Sequence, residues 1–187
     1  VHVVHGRSDG PVLFVSAAVH GDEINGIEII RRLLRVRLLS RLRGALVAVP
    51  IVNVFGVLNH SRYLPDRRDL NRCFPGSESG SLGGRIAYLL RTQIMESVTH
   101  IIDLHTGAIH RFNLPQIRAD ISDPEIRELA THFGTGIVIA GKGPDGSLRR
   151  EAAKAGIPSI IYEAGAPHRF EQEEIARGAT GIASIMA

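Results

Sequence analysis

The sequence predicts an α/β fold in which a mixed, largely parallel central sheet is flanked by helices on both faces. Short runs rich in valine and isoleucine alternate with longer amphipathic runs along the 187 residues, and such alternation is typical of α/β domains. Several of the short runs are continuously apolar, which suits strands that are buried on both faces. Because 44% of the residues are hydrophobic, the chain can form one domain with a substantial core.

Seven strands and five helices are predicted. In chain order, the expected strands are 1–5, 11–19, 45–52, 99–104, 114–118, 136–140 and 158–162, and the expected helices are 23–36, 82–97, 124–133, 148–155 and 171–185. The third helix carries a complete start signal, because Asp123 suits an N-cap, Pro124 the first helical position and Glu125 the first turn. Residues 53–84 show little periodicity, and irregular segments of that length are usually functional.

Composition excludes several classes of function. The net charge is only +3 and aromatic residues make up 5% of the chain, so nucleic-acid binding has little support. The single cysteine, Cys73, rules out an internal disulfide and a cysteine-rich zinc module. No apolar run approaches the roughly 20 residues that span a bilayer, and no signal-peptide pattern opens the sequence. We therefore expect a cytoplasmic protein with no nucleic-acid or membrane partner.

Polar side chains follow three of the predicted strands. His20 and Glu23 come after strand 11–19, His105 follows strand 99–104, and Glu163 follows strand 158–162. Ligands gather at the carboxyl ends of strands in α/β sheets. A histidine and a glutamate three residues apart on a first helical turn face the same way, and zinc accepts both as ligands. Asp22 points away from that face, so we expect it to cap the helix or to support a ligand.

The irregular segment adds groups that bind anions. Arg72 beside Asn71 offers a planar fork of donors and an amide, which suits a carboxylate. Arg62 is free to face an oxygen that gains negative charge during a reaction. Taken singly, a solvated charged loop, an isolated H-x-x-E pair and a strand-end histidine or glutamate are all ordinary features. It is their joint arrangement that favours a site.

These residues resemble the motifs of the succinylglutamate desuccinylase/aspartoacylase family, which belongs to the wider zinc carboxypeptidase superfamily. The matching segments are H-G-D-E at 20–23, R-Y at 62–63, D-L-N-R at 69–72, D-L-H-T-G at 103–107 and E-A-G at 163–165. They occur in the family's order and extend over most of the chain. The resemblance implies a zinc carboxypeptidase-like α/β fold.

The resemblance also implies one Zn²⁺ ion per chain, bound by His20, Glu23 and His105 with water in the open position. Asp103 lies two residues before His105 on the same strand face, so it can accept the second N–H of that imidazole. This is the usual support for a metal-binding histidine.

The remaining roles follow from the resemblance as well. Glu163 would act as general base and then as the general acid that protonates the departing amine. Arg62 would share the stabilisation of the oxyanion with zinc. Asn71 and Arg72 would hold a carboxylate of the substrate, and Arg149 would be a second anion contact.

Members of this family commonly continue into a small β-rich domain. The sequence stops at Ala187, after a predicted helix, so we expect 1–187 to form a single catalytic α/β domain without that β-rich domain.

The sequence therefore predicts a zinc-dependent amidohydrolase, or deacylase, whose partner is a small carboxylated amide such as an N-acyl amino acid. Two alternatives stay open. One is a carboxypeptidase-like zinc peptidase acting on short or cell-wall-derived peptides, and the other is a metal-free binding or scaffold domain that kept the fold. The acyl group and the amino-acid preference are undetermined, and a homo-oligomer is compatible with the sequence.

Overall fold

A seven-stranded sheet forms the centre of the protein, and the computed structural model describes residues 1–187. The strands are β1 (His2–His5), β2 (Ser8–Ala17), β3 (Arg43–Val49), β4 (His100–His105), β5 (Asn113–Ala119), β6 (Val138–Ala140) and β7 (Ser159–Gly165). The helices are α1 (Asn25–Leu33), α2 (Val54–Leu58), α3 (Leu82–Gln93), α4 (Pro124–Phe133), α5 (Leu148–Lys154) and α6 (Gln172–Ile185). Three short 3₁₀ turns cover Arg37–Arg41, Leu70–Arg72 and Met95–Ser97.

The sheet is mixed and largely parallel, as predicted. Its strand order is β1-β3-β2-β4-β7-β5-β6. Four of the six neighbouring pairs are parallel, and the β1–β3 and β5–β7 pairs are antiparallel. The central strands β2, β4 and β7 run in the same direction, so their carboxyl ends meet at one edge of the sheet.

Helices cover both faces of the sheet and create two apolar cores. The first core lies under α1, α4 and α6 and includes Leu33 and Phe133. The second lies under α3 and α5 and includes Leu90 and Leu148. In the first core, the Phe133 ring stacks on Tyr162 with 4.9 Å between ring centroids. These five helices thus bury one side against the sheet, as expected for amphipathic helices in an α/β fold.

Most predicted elements are present. All seven strands form, and each predicted helix overlaps an observed one. The start signal of α4 is confirmed, since the Asp123 carboxylate accepts hydrogen bonds from the backbone N–H groups of Glu125 and Ile126. None of the helices combines the length and the apolar character that a membrane crossing requires.

The start of α1 was predicted wrongly. The helix begins at Asn25, and the residue at its N-cap position, Ile24, makes no side-chain cap. His20 and Glu23 therefore lie on a tight turn before the helix, closed by a hydrogen bond from the Glu23 N–H to the His20 carbonyl at 3.1 Å. Of the two roles expected for Asp22, the cap is not observed, because no side chain caps α1 and the buried Oδ1 of Asp22 has no hydrogen-bond partner.

Two other predictions need correction. Residues 53–84 contain the helix α2 and the Leu70–Arg72 turn, because Asn53 caps α2 and Asp69 caps the turn through their side chains. In addition, β7 does not end at Tyr162, as predicted, but continues through Glu163 to Gly165, where it pairs with Asn113 of β5.

Candidate metal centre and active site

Three side chains meet at the carboxyl edge of the central strands. The potential ligand atoms of His20, Glu23 and His105 all lie within 4.8 Å of one another, and all three residues are buried. Glu23 is central, with its Oε1 2.9 Å from Nδ1 of His20 and its Oε2 2.8 Å from Nδ1 of His105. The backbone N–H of Thr106 also donates to Glu23 Oε2. One nitrogen of each imidazole thus faces the same carboxylate.

The other ring nitrogen of His105 is held from behind. Its Nε2 lies 2.7 Å from Oδ2 of Asp103, and Oδ1 of the same carboxylate accepts a 2.6 Å hydrogen bond from the Ser16 hydroxyl. Ser16 and Asp103 are direct neighbours in the β2–β4 register. The position predicted for Asp103 is therefore the position observed, and an unpredicted serine fixes the orientation of its carboxylate.

His20 has an equivalent support from the irregular segment. Its Nε2 lies 3.1 Å from Oδ1 of Asp69. The Asp69 carboxylate also accepts hydrogen bonds from the backbone N–H of Asn71 at 2.8 Å and from Nη2 of Arg62 at 3.0 Å. Nη1 of Arg62 donates to Glu23 at 3.0 Å, so this guanidinium joins the cluster to its support.

The charges in the cluster shift one another's ionisation. Burial alone would raise the pKa of Glu23, but His20 and His105 outweigh burial and hold that pKa far below its usual range. Burial lowers the pKa of His105, whereas Asp103 and Glu23 raise it, and the result is a pKa well above the usual value. Burial also lowers the pKa of His20, whereas Glu23 and Asp69 raise it, and the result is a pKa above the usual value. Binding of a divalent cation requires the neutral form of each ligating imidazole.

The donor set fits zinc. Zinc in catalytic sites takes three protein ligands from histidine and carboxylate side chains, and His20, Glu23 and His105 provide two nitrogens and a carboxylate. The two imidazoles point their Nδ1 atoms inward and are each held at Nε2 by an aspartate, which is the arrangement that orients metal-binding histidines. The three residue types and the aspartates behind the imidazoles are thus compatible with a zinc site.

Glu163 stands beside this cluster. It pairs directly with His105 in the parallel β4–β7 register. Its Oε2 accepts a hydrogen bond from Nδ2 of Asn113 at 2.7 Å and lies 2.9 Å from Nη2 of Arg118. Both of these contacts involve Oε2, so Oε1 has no hydrogen-bond partner within the protein. A carboxylate with one anchored oxygen and one available oxygen is suited to exchange protons with a bound molecule.

The predicted anion-binding residues lie on the other side of the cluster. The side-chain oxygen of Asn71 is already used, since it accepts a 2.9 Å hydrogen bond from the backbone N–H of Leu148; its amide group remains available to donate. Arg72 donates from Nη1 to the carbonyl of Asn71. Arg149 is only 8% exposed, and its Nε and Nη1 have no partner. Burial and the nearby Arg118 both lower the pKa of Arg149.

One cavity of about 320 Å³ unites these groups. It contains eight of the nine predicted site residues, namely His20, Glu23, Arg62, Asn71, Arg72, His105, Arg149 and Glu163; Asp103 lies behind His105. Two further arginines, Arg111 and Arg118, also line it, whereas Glu23 and Glu163 are its only acids. The cavity thus has an excess of positive charge, which favours an anionic ligand.

A larger groove of about 570 Å³ lies at the opposite edge of the sheet. It is lined mainly by apolar side chains, among them Leu13, Leu129 and Ile185, near the amino ends of β2 and β4. His20, Glu23 and His105 do not line it. The smaller, polar cavity is therefore the candidate active site.

Sequence reasoning missed four residues that support the site. They are Ser16, Asp69, Asn113 and Arg118. Ser16 had a signal, because a hydroxyl within an apolar strand needs a buried partner. Asp69 lay inside a recognised segment without an assigned role. Asn113 and Arg118 had no signal of their own, since their contacts depend on the pairing of β5 with β7.

Comparison with known proteins identifies relatives of the whole chain. The sequence profile described as the succinylglutamate desuccinylase/aspartoacylase catalytic domain matches residues 9–187. Over 102 residues the chain is 30% identical to the N-alpha-acetyl-L-2,4-diaminobutyric acid deacetylase of Halomonas elongata, a match covering 54% of this chain and 30% of that protein.

Solved structures resemble the fold over almost its full length. A succinylglutamate desuccinylase/aspartoacylase from Rhodobacter sphaeroides superposes with a TM-score of 0.88 at 28% identity, covering 98% of this chain and 56% of that one. The ectoine utilization protein EutE (DoeB) from Ruegeria pomeroyi, in a product-bound structure, gives a TM-score of 0.89 at 22% identity, covering 98% and 58%. The chain thus spans little more than half the length of these solved relatives.

These findings agree with the motifs at positions 20–23, 69–72, 103–107 and 163–165 and confirm the fold that the resemblance implied. Since the family profile covers nearly every residue, the chain belongs to the succinylglutamate desuccinylase/aspartoacylase family.

Proposed function

We propose that the chain is the catalytic domain of a zinc-dependent amidohydrolase that cleaves the amide bond of an N-acyl amino acid or a similar small carboxylated amide. The observation that carries this proposal is the cavity itself. The three candidate metal ligands, the Glu163 carboxylate and five arginines line one cavity of about 320 Å³. The relatives support the reaction class, because they are deacylating hydrolases that act on amide bonds.

In this proposal His20, Glu23 and His105 hold the zinc ion. The chemistry that zinc supplies when bound is Lewis acidity, which polarises a carbonyl and lowers the pKa of water to about 7. Such help is needed because an amide carbonyl is a poor electrophile. Asp69 and Asp103 keep the two imidazoles in position from behind.

Glu163 handles the protons in this proposal. Its carboxylate takes a proton from the attacking water and then gives that proton to the amine nitrogen, which leaves poorly unless it is protonated. Arg62 lies at the cluster through its bond to Glu23, where its guanidinium can donate to the oxygen that gains negative charge. In this proposal Glu163 thus transfers the proton and Arg62 stabilises the developing charge.

The substrate carboxylate binds at Asn71 and Arg72. Both line the cavity, and because the side-chain oxygen of Asn71 already accepts from Leu148, its amide group is the part that can donate to a ligand. Arg149 is a second anion contact in this proposal. Its two buried N–H donors lack partners, and leaving such groups unpaired costs about 1–3 kcal/mol each. Arg149 also lines the cavity, so a substrate carboxylate could approach its guanidinium there.

A hydrolysis screen tests the substrate class. The zinc-loaded full-length protein is assayed with N-acetyl, N-succinyl and N-aspartyl-type amides of amino acids, and in parallel with short peptides that have free or blocked carboxyl termini. We expect release of amine from at least one acyl amino acid and little from the peptides. Exclusive cleavage of peptides with a free carboxyl terminus would instead indicate a carboxypeptidase-like enzyme. Absence of bound zinc after zinc-replete expression would indicate a binding or scaffold domain.

Replacement of Glu163 by glutamine tests its proton-transfer role. Because an amide cannot act as a base, we expect Glu163→Gln to retain zinc but to lower kcat by about 10²- to 10⁴-fold. The matched control is Glu173→Gln, at an exposed position of α6, which should keep wild-type kinetics. Metal analysis and steady-state assays are the measurements. Wild-type activity in Glu163→Gln would contradict the proposed function.

A further inference from the structure

The carboxylate of Glu163 is held at one oxygen only. Nδ2 of Asn113 and Nη2 of Arg118 both contact Oε2, at 2.7 and 2.9 Å. The side chain of Glu163 is 15% exposed, and that of Arg118 is 40% exposed. A hydrogen bond from Asn113 and an ion pair with Arg118 on the same oxygen hold the plane of the carboxylate more firmly than one contact would, because rotation about the Cγ–Cδ bond would disturb both.

An irregularity in β5 creates this arrangement. Gln116 pairs with Glu163 and Arg118 pairs with Ile161. Arg118 therefore lies on the same face of the sheet as Glu163, two residues along β5 from Gln116. If this register continued, Leu114 would oppose Gly165. The register instead shifts between Asn113 and Gln116, and Asn113 opposes Gly165.

The shift places an amide where an apolar side chain would otherwise be. Gly165 lies two residues beyond Glu163 on the same face of β7, so Asn113 shares that face, while Leu114 is 62% exposed. Bulges commonly re-aim side chains next to active sites. Pro115, which lacks an N–H, lies within the shifted segment and is tolerated there because no ladder bond is required of it.

We propose that Asn113 and Arg118 are positioning residues, which together with the bulge in β5 anchor Oε2 of Glu163 so that Oε1 carries the proton during amide hydrolysis. This inference rests on the proposed function, because it assumes that Glu163 transfers the proton. A reacting group that is misplaced by about 1 Å can cost about 10²-fold in rate, so loss of either donor should reduce kcat. Neither residue needs to touch the substrate for this effect.

Kinetics separate positioning from substrate binding. On the acyl amino acid that the screen identifies as the best substrate, Asn113→Ala and Arg118→Ala should each lower kcat by about 10- to 100-fold, with KM changed by less than about twofold and zinc retained. Arg118→Lys keeps a donor and should recover part of the loss. The control Leu114→Ala changes the same bulge outside the cavity and should behave as wild type. A raised KM with unchanged kcat in Arg118→Ala would overturn the proposal in favour of a substrate contact.

A second measurement does not depend on activity. In crystals of the zinc-loaded protein, we expect Glu163 to occupy one conformer in the wild type and several in the variant that combines Asn113→Ala with Arg118→Ala. An unchanged single conformer in that variant would overturn the proposal whatever the substrate. Loss of the proposed function would be recognised separately, by wild-type activity of Glu163→Gln or by a screen without hydrolysis.

Discussion

At the scale of single residues, Asp69 contacts several groups at the cluster of His20, Glu23 and His105, although it lies in a segment that shows little periodicity. One of its carboxylate oxygens binds His20 and the backbone of Asn71, and the other binds Arg62. Burial alone would raise its pKa, but His20 and Arg62 hold it well below the usual range. Asp69 therefore fixes one imidazole and one guanidinium at the same time.

Replacing Asp69 with asparagine tests this support. Asparagine keeps the size but loses the charge that holds the His20 ring, so we expect Asp69→Asn to weaken zinc binding by about 10- to 100-fold. Zinc affinity is measured by competition with a chromophoric chelator. The control is Asp66→Asn, because Asp66 is exposed and its carboxylate binds only groups of Arg68 and Gly83. Equal zinc affinities of Asp69→Asn and the wild type would contradict the role of this carboxylate.

Sequence reasoning located the inner residues of the site better than the outer ones. His105 and Glu163 lie near the carboxyl ends of the buried strands β4 and β7, and neighbouring parallel strands bring these ends together whatever the side-chain details. Asp69 depends on how a turn folds back over His20. Asn113 depends on one inserted residue in β5, and a shift by one residue exchanges the two faces of a strand. No periodicity in a single sequence reports such a shift.

At the scale of elements, α1 packs closely on the sheet. This packing fixes the turn that precedes α1 and carries His20 and Glu23. A Cβ atom on Gly26 would lie 2.6 Å from Cβ of Ala17 and 2.8 Å from Cβ of Leu104. The turn itself is confined in the same way, because a Cβ on Gly21 would lie 1.9 Å from the backbone of Gly56 in α2. Both glycines are needed for close approach of backbones.

Substitution of Gly26 tests the closeness of this packing. The added methyl group must push α1 away from β2 and β4, so we expect Gly26→Ala to lower the free energy of unfolding by about 1–3 kcal/mol. Gly84→Ala is the control, since Gly84 lies in α3 and the nearest atom to its Cβ would be 3.5 Å away. That variant should gain about 0.5–1 kcal/mol. Urea denaturation measures both, and equal stabilities would show that α1 has room to move.

The elements themselves were largely predictable, and the exceptions have physical causes. Valine- and isoleucine-rich runs identify strands because these residues suit buried, pleated positions. The helix α2 has five residues, too few to show a helical period. It is held instead by the side-chain cap from Asn53 and by the contact between Gly56 and Gly21. Only the second depends on tertiary structure, because the Asn53 cap bonds a residue three positions along the chain.

At the scale of the whole molecule, the site joins segments that are far apart in the sequence. The proposed ligands come from residues 20–23 and 105, their supports from 69 and 103, and the proposed base from 163. These segments are assembled only in the folded chain, so a metal bound there stabilises the folded state alone. Zinc binding and global stability should therefore be coupled.

Thermal unfolding measures this coupling. At a free zinc concentration one hundred times Kd, the gain is about 2.7 kcal/mol, which for a chain of this size corresponds to a rise in Tm of about 5–11 °C. The variant His105→Ala should lose the rise. The control His132→Ala, at an exposed position of α4 outside the cluster, should retain it. A Tm that does not respond to zinc would exclude a zinc site formed by these segments.

The hydrogen bond between Ser16 and Asp103 has a consequence for how the sequence can change over evolutionary time. Both side chains are almost completely buried, and the bond is 2.6 Å long. Loss of the hydroxyl alone would leave a buried carboxylate oxygen unsatisfied, at a cost of about 1–3 kcal/mol, while loss of the carboxylate alone would also release the His105 ring. Single steps are therefore penalised, whereas a joint replacement can be nearly neutral for folding. The two positions, although 87 residues apart, are expected to be inherited and to diverge as a pair.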